Sequence, residues 1–433
     1  MKTKEDILRL VEEEDIEFIR LQFTDMFGFL KNIAVTPNQL EWAFDNGYMF
    51  KGAAVFGKHD YEKEDLYLCP DLETFVILPW RPQSGKVARV ICNICREDGT
   101  IYECSSRAIL QRVMKMTEEK GYRFQVDPDC EFFLFNTDEN GCPTTITHEN
   151  AGYMDVGPTD LGENARRELV LNLEEMGFEV ESSHHEVAPS QHEIDFKAAE
   201  PLSIADSIIT FKSAVRSIVK RFGLHATFMP KPRSDMAGSG MRLNISACKD
   251  GKKLFQSDEN GEISQELKWF MGGILHYAPA MCAVTNPLVN SYKRLTSGFD
   301  APNEIGWARK NVNGLLKVQR KKGEDTKVSL RFPDPSANPY LAIAVCLAAG
   351  VEGIEQQMDP GLPIPECYEK QEKLKELPGS LREAVTQMEE SEFMERVLGK
   401  AFVDIYADAK MQEWNAYMAD VSKWELNEYL NKI

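Results

Sequence analysis

The chain has 433 residues, 43% hydrophobic and 27% charged, with 69 acids against 50 lysines and arginines and a net charge of -19. This is the composition of a soluble globular protein large enough for two or more domains. So acidic a chain is a poor general partner for nucleic acid or an anionic membrane, although it can still hold a local basic pocket for ATP or another anion.

Thr3 followed by Asp6 reads as a capping box that opens a short helix ending near Glu13. β-Like segments follow at 16–25, 72–80 and 86–95, while 50–65, rich in small and charged residues, reads as an exposed loop. Residues 1–101 are therefore expected to form a small α+β domain and residues 102–433 a large second one. In the second, 105–121 reads as a capped amphipathic helix stopped by Gly121. Strands at 130–135, 193–196, 225–230 and 241–246 then alternate with helices, the clearest at 161–177 and 205–223. ANPYLAIAVCLAAGVEGI (337–354) is apolar nearly all round and is predicted to be a buried helix. Periodicity leaves the strand order open.

Ten cysteines are scattered along the chain, and Cys92 and Cys95 are the only tight pair. No second pair completes a zinc motif, so reduced, structural thiols in a cytoplasmic protein are expected. MKTKEDILRL has no apolar export segment, and the longest apolar run, 341–350, is too short to span a bilayer.

DPDCEFFLF (127–135) sets Asp129 and Glu131 at the mouth of an apolar strand, where acids are costly unless solvated, paired or bound to a cation. HHEVAPSQHEIDF (184–196) places Glu186 and Glu193 seven residues apart around a proline turn. Two adjacent strands would bring them into one cleft with Glu131 as a third acid. Hard oxygen donors of this kind suit Mg2+ or Mn2+, and equally suit solvated strand ends. Gly238-Ser239-Gly240 reads as a flexible segment with N–H groups available to an anion, without the spacing of a P-loop. Arg294 in NPLVNSYKRL reads as a carboxylate or phosphate clamp, or as a surface arginine. The basic strip 317–335 carries Lys317, Arg320 and Arg331 around a turn at Lys322-Gly323, and reads as a polyphosphate strip or a mobile basic hairpin.

Together, DLYLCPDLETFVILPW, PDCEFFLF, HHEVAPSQHEIDF, LHATFMPKP, GSGM, NPLVNSYKRL and RFPDPSANPYLA resemble the glutamine synthetase family in its shorter bacterial and archaeal form, over nearly the whole chain. The resemblance implies an α+β protein with an N-terminal β-grasp-like domain and a C-terminal catalytic-type domain built on an antiparallel sheet with surrounding helices. It further implies a homo-oligomer, a dodecamer of two hexameric rings, and ATP-dependent joining of glutamate to ammonia with two or three Mg2+ or Mn2+ ions. By position, Glu131, Glu186 and Glu193 match one metal's ligands, Gly238 and Arg294 match glutamate contacts, and Arg331 matches a phosphate or substrate arginine.

The remaining positions depart from the pattern. Asp129 is shorter than the usual glutamate, Arg242 replaces a metal-binding histidine, Ala237 an asparagine and Ser329 a glutamate. Lys51 replaces the acid that handles ammonium, Val312 an arginine, Lys317 a second arginine, and Asp300 the flap glutamate. Asp300, Arg331 and Lys317 are what remains of a catalytic set. The losses fall together on one metal and one transition state. The expectation is therefore a protein impaired in ligation that keeps one metal site, with a binding, assembly or regulatory role, its partners including a paralogous synthetase or regulator. The alternative is a ligase, for ammonia or another amine, with ATP held in a remodelled site.

Overall fold

The computed structural model describes residues 2–57, 64–81, 84–257, 262–296, 299, 301–309, 314–320, 325–365 and 374–433. Helix α1 (Lys4–Glu13) begins with the expected capping box, Thr3 and Asp6 each accepting the other's backbone N–H. The first sheet comprises β1 (Ile16–Thr24), β2 (Leu30–Val35), β3 (Tyr48–Lys51), β4 (Asp65–Pro70), β5 (Val76–Ile77) and β6 (Lys86–Cys95), in the order β2-β1-β6-β4-β3 with β5 on β6. β1 and β6 run parallel and the other pairs antiparallel. Helix α2 (Pro37–Asn46) lies between β2 and β3 in the chain.

Two expectations fail here. The segment expected as an exposed loop contains the end of β3, a 3-10 turn at Gly52–Phe56 and the start of β4, with Phe50, Val55 and Phe56 buried. The few apolar anchors dominate the small residues around them, and Val55 accepts from the Met26 N–H. The strand expected at 72–80 is a 3-10 turn at Leu72–Thr74 followed by the two-residue β5. Pro79 has no N–H to give a ladder there.

The second sheet is built around β7 (Tyr122–Thr137), with β8 (Pro143–Thr147), β9 (Val180–His185), β10 (Gln191–Phe196), β11 (Leu224–Thr227), β12 (Met241–Lys249), β13 (Lys252–Lys253), β14 (Glu304–Ala308), β15 (Gly314–Gln319) and β16 (Lys327–Leu330). Its main path is β14-β15-β16-β12-β7-β10-β9. Only β14–β15 is parallel along it. The predicted helices appear as α3 (Ser106–Glu119), α4 (Glu163–Glu175) and α5 (Pro201–Ile218). The rest are α6 (Gln265–Thr285), α7 (Val289–Leu295), α8 (Pro339–Glu355), α9 (Leu381–Glu389), α10 (Glu392–Leu398), α11 (Lys400–Ala419) and α12 (Lys423–Tyr429). Helix α8 is buried along nearly its whole length, as its apolar circumference requires. It lies so close to α6 that a Cβ on Gly273 would come within 2.1 Å of the Ala349 carbonyl oxygen.

A buried polar network fastens the two sheets together. Arg107 at the start of α3 donates two bonds to Asp206 of α5, at 3.0 and 2.9 Å, and further bonds to Asp71 and Asn93 of the N-terminal region. Tyr340 donates to the same Asp206 at 2.6 Å, and Arg89 of β6 donates to the Thr74 carbonyl and the Thr210 hydroxyl. By contrast Met418, Val421, Trp424, Leu430 and Ile433 at the C-terminus are each more than half exposed. Nine of the ten cysteines are described, and all nine are free thiols. Among the described residues no helix is long and apolar enough to cross a membrane.

Replacing Arg107 by Ala strands the Asp206 carboxylate in the interface, and is expected to cost about 3–5 kcal/mol. Denaturant unfolding measures it; a loss below about 1 kcal/mol contradicts the assignment of this network as the domain fastener.

Candidate functional site

Strand register gathers the acids on one face of the second sheet, because alternate residues share a face. Glu131 of β7 lies opposite Glu193 of β10, and Glu193 opposite His184 of β9. In the next row Arg242, Asp129, Asp195 and Ser182 face one another across β12, β7, β10 and β9. Beyond it Asp127, Asn244, Ser329 and Lys317 are aligned across β7, β12, β16 and β15. Glu186 enters from the tight turn after β9, where its N–H donates to the Gln191 carbonyl.

Arg242 occupies the centre. Its guanidinium lies 3.3 Å from Glu131, 3.7 Å from Asp129 and 3.9 Å from Glu193. Each such contact supplies on the order of 4 kcal/mol of gross attraction at an effective dielectric of about 20, less where water reaches the group. The Arg242 side chain is 34% exposed. Burial works against its charge, but Glu131, Glu193 and Asp129 outweigh burial and hold its pKa above the ordinary arginine value.

The acids are held unequally. Glu131 Oε2 accepts from Gln191 Nε2 at 3.0 Å and from the Gly240 N–H at 2.8 Å, yet burial still raises its pKa. Burial and the neighbouring Glu131 push Glu193 up to about 11. Asp129 rises to about 7 through burial and the nearby Asp195. Glu186 is the exception: burial opposes its charge, but the bonds to His184 and the Val187 N–H prevail and lower its pKa.

Glu131, Glu186 and Glu193 present oxygens within 4.8 Å of one another. Glu193 Oε2 is buried with no partner among the described residues. An all-carboxylate trio with an orphaned oxygen and a carboxyl driven toward protonation fits a hard divalent ion. The place the resemblance gives the second ion is different. Asp129, Arg242 and Ser329 offer one carboxylate, one guanidinium without an acceptor and one buried hydroxyl. That donor set does not fit a divalent ion.

Glu131, Glu186, Gln191, Ala237, Gly238, Arg242, Arg294 and Arg331 line one polar cavity, bordered by Phe299 and Ala301. Gly238 is required there, since a Cβ would meet the Pro230 carbonyl oxygen at 2.2 Å. The Gly238–Gly240 segment is not the open, flexible one expected. Ser239 is fully buried, and the Gly240 N–H is already committed to Glu131. Nor is Arg294 a surface arginine. It is 6% exposed and donates to the Phe332 and Arg331 carbonyls. The basic strip does form a hairpin, β15 with β16, and burial with nearby Arg331 and Arg242 lowers the pKa of Lys317. Lys51 ends β3 in the other sheet and is exposed. Asp300, Val312 and the turn at Lys322-Gly323 lie outside the described residues.

Sequence reasoning missed three orienting groups. Gln191 positions Glu131, His184 approaches Glu186 at 3.2 Å, and Asn244 donates to Asp129 at 3.0 Å. His184 and Gln191 stand within the quoted acid motif, and Asn244 two residues after Arg242, so only the strand register was lacking to find them.

Replacing Arg242 by Met removes the cation and keeps the volume of the side chain. In chelator this is expected to destabilise the chain by about 1–3 kcal/mol, a third of the guanidinium being solvated, and Mn2+ should then raise Tm more than in the parent. An unchanged Tm in chelator together with an unchanged Mn2+ response contradicts the role given to Arg242.

Comparison with known proteins places this geometry. The family described as glutamine synthetase, catalytic domain, matches residues 103–429, and its beta-Grasp domain matches residues 15–97. The glutamine synthetase of Clostridium saccharobutylicum is 50% identical over 439 residues, covering 99% of each chain. That of Methanosarcina mazei is 43% identical, covering 100% of this chain and 98% of the relative. Two solved structures, apo GmaS without ligand and a GmaS/ADP complex in conformation 1, each align with a TM-score of 0.88 at 29% identity. They cover 99% and 100% of this chain, respectively, and 100% of their own. Two matched domains in order, full-length identity of up to 50% and the acid trio on adjoining strands lead to one conclusion: the chain belongs to the glutamine synthetase family.

Proposed function

We propose that this chain is a glutamine synthetase homologue impaired in ATP-dependent ligation of glutamate to ammonia, which keeps an amino-acid-binding cavity and serves by binding, assembly or regulation. The observation that carries this reading is the Arg242 guanidinium, within 4 Å of Asp129, Glu131 and Glu193. It puts a fixed single charge where phosphoryl transfer would need a mobile, oxygen-coordinating one.

The trio of Glu131, Glu186 and Glu193 would hold one Mg2+ or Mn2+. Such an ion, when bound, supplies Lewis-acid neutralisation of phosphate oxygens. Around it the chain's own residues bind rather than react. Arg294 and Arg331 give the cavity positive charge for a carboxylate, and Gly238 leaves backbone room beside it. Lys317 carries positive charge toward any ATP phosphate, as a point charge rather than a fork. Lys51, in place of an acid, repels ammonium instead of attracting it.

The reading extends to a homo-oligomer, with two hexameric rings as the family expectation. The exposed apolar C-terminal run, Met418 to Ile433, supports a partner-covered surface. A cytoplasmic setting accords with the free cysteines.

A second reading, a working glutamate–amine ligase with Arg242 standing in for one ion, is favoured by the retained trio and by the full-length identity to proteins named glutamine synthetase. Phosphate release from ATP separates the two, measured with Mg2+ or Mn2+, glutamate and a panel of amines including ammonia. The proposal expects release at least about 10³-fold below an active relative, the scale of losing one transition-state donor. Joint substitution of K51D, R242H, V312R and S329E is expected to raise it. Brisk release dependent on glutamate and one amine overturns the proposal and establishes the ligase. For assembly, light scattering of a chain ending at Ala419 should give smaller particles than the full chain; equal mass contradicts a C-terminal interface.

A further inference from the structure

We propose that His184, Glu193 and Asp195 form a second cation site, sharing Glu193 with the Glu131–Glu186–Glu193 trio and suited to a divalent ion that accepts nitrogen, of the Zn2+ or Co2+ class. The three lie on β9 and β10, with His184 directly opposite Glu193 and Asp195 two residues further along the same face. Each offers one ligand atom, and the three atoms lie within 4.8 Å of one another. His184 Nε2 and Glu193 Oε1 are already 3.7 Å apart. Tetrahedral ligands at bonds of roughly 2.1 Å sit about 3.4 Å from each other, so small rotations of the side chains close the set.

Two further observations point to an ion. Glu193 is 3% exposed, and neither its Oε2 nor Asp195 Oδ1 has a donor among the described residues, the two carboxyl groups lying within hydrogen-bond reach of each other. Buried carboxylate oxygens left this way are costly unless a proton or a cation reaches them. The charge balance also falls short. Asp129, Glu131, Glu186, Glu193 and Asp195 crowd one face, and Arg242, the guanidinium in contact with three of them, lies on the far side of Glu193 from His184. One divalent ion on the trio leaves Asp195 bonded to Ser182 but with no cation within 4 Å among the described residues.

The surroundings are those of a ligand set. Ser182 donates its hydroxyl to Asp195 Oδ2, fixing that carboxylate, and Tyr153 packs edge-on against the His184 ring at 5.6 Å. His184 Nε2 now shares a hydrogen bond with Glu186 at 3.2 Å; turning it to an ion frees Glu186 for the trio. Access comes from solvent, since the His184 side chain is 17% exposed and borders an open cavity with Ser183 and Asp160. One imidazole and two carboxylates, with water in the fourth position, favour Zn2+ or Co2+ over Mg2+, which prefers oxygen alone. The site does not depend on whether the chain ligates.

Co2+ titration of the full-length chain, stripped with chelator, tests the proposal through the visible absorption of four-coordinate Co2+. A band is expected, competed by Zn2+ and not by Mg2+. His184→Asn and Asp195→Asn should each weaken Co2+ binding at least tenfold and remove the band, whereas Glu131→Gln should retain it. X-ray absorption at the zinc edge of the unmodified chain, loaded with one equivalent of Zn2+, reads the nitrogen ligand directly, without any variant that must fold. A band unchanged in His184→Asn, or a Zn2+ shell made of oxygen alone, overturns the proposal.

Discussion

A guanidinium set among carboxylates governs the chemistry of this protein. Arg242 reaches Glu131, Asp129 and Glu193 at once, and does so because β12 is the immediate neighbour of β7 with Arg242 opposite Asp129. The arrangement is stable for a simple reason: buried acids on adjoining strands repel one another, and a covalently anchored cation relieves them at every metal concentration. A divalent ion does the same only when it is bound. Anchoring the charge thus makes the relief independent of any ion.

Everything around the guanidinium follows from one sheet and its register. The long β7 takes β10 on one side and β12 on the other, so three successive rows of polar residues share a face. Gly240 and Gln191 hold Glu131, Asn244 holds Asp129, and His184 draws the charge onto Glu186. Behind that face the side chains are apolar; Cys130, Phe132 and Leu134 are completely buried. The Arg107–Asp206–Tyr340 network then fixes this sheet to the N-terminal one. Fold and site are in this sense one construction, although the same fold in relatives need not carry the same chemistry.

Much of this was legible in the sequence. The trio of Glu131, Glu186 and Glu193 could be read because its members stand in β-like runs joined by a short turn, and a two-strand pairing leaves few ways to arrange them. The buried α8 was legible from its apolar circumference. What could not be read depends on long-range register. Nothing local tells that Asp195 shares a row with Asp129, or that Asn244 touches it. Arg294 lay in an ordinary amphipathic run, and carbonyls some forty residues away, those of Phe332 and Arg331 among them, accept its buried guanidinium. Composition misled at 50–57, where Phe50, Val55 and Phe56 fold inward despite their small and charged neighbours.

By the reading proposed above, Arg242 fills the place of a divalent ion between Asp129 and Glu131. Anomalous diffraction from crystals of the full chain soaked in Mn2+ tests it most directly. An anomalous peak is expected among Glu131, Glu186 and Glu193, with the Arg242 guanidinium still against Asp129 and no peak between Asp129 and Ser329. A peak in contact with both Asp129 and Ser329, with Arg242 swung out to solvent, would contradict it.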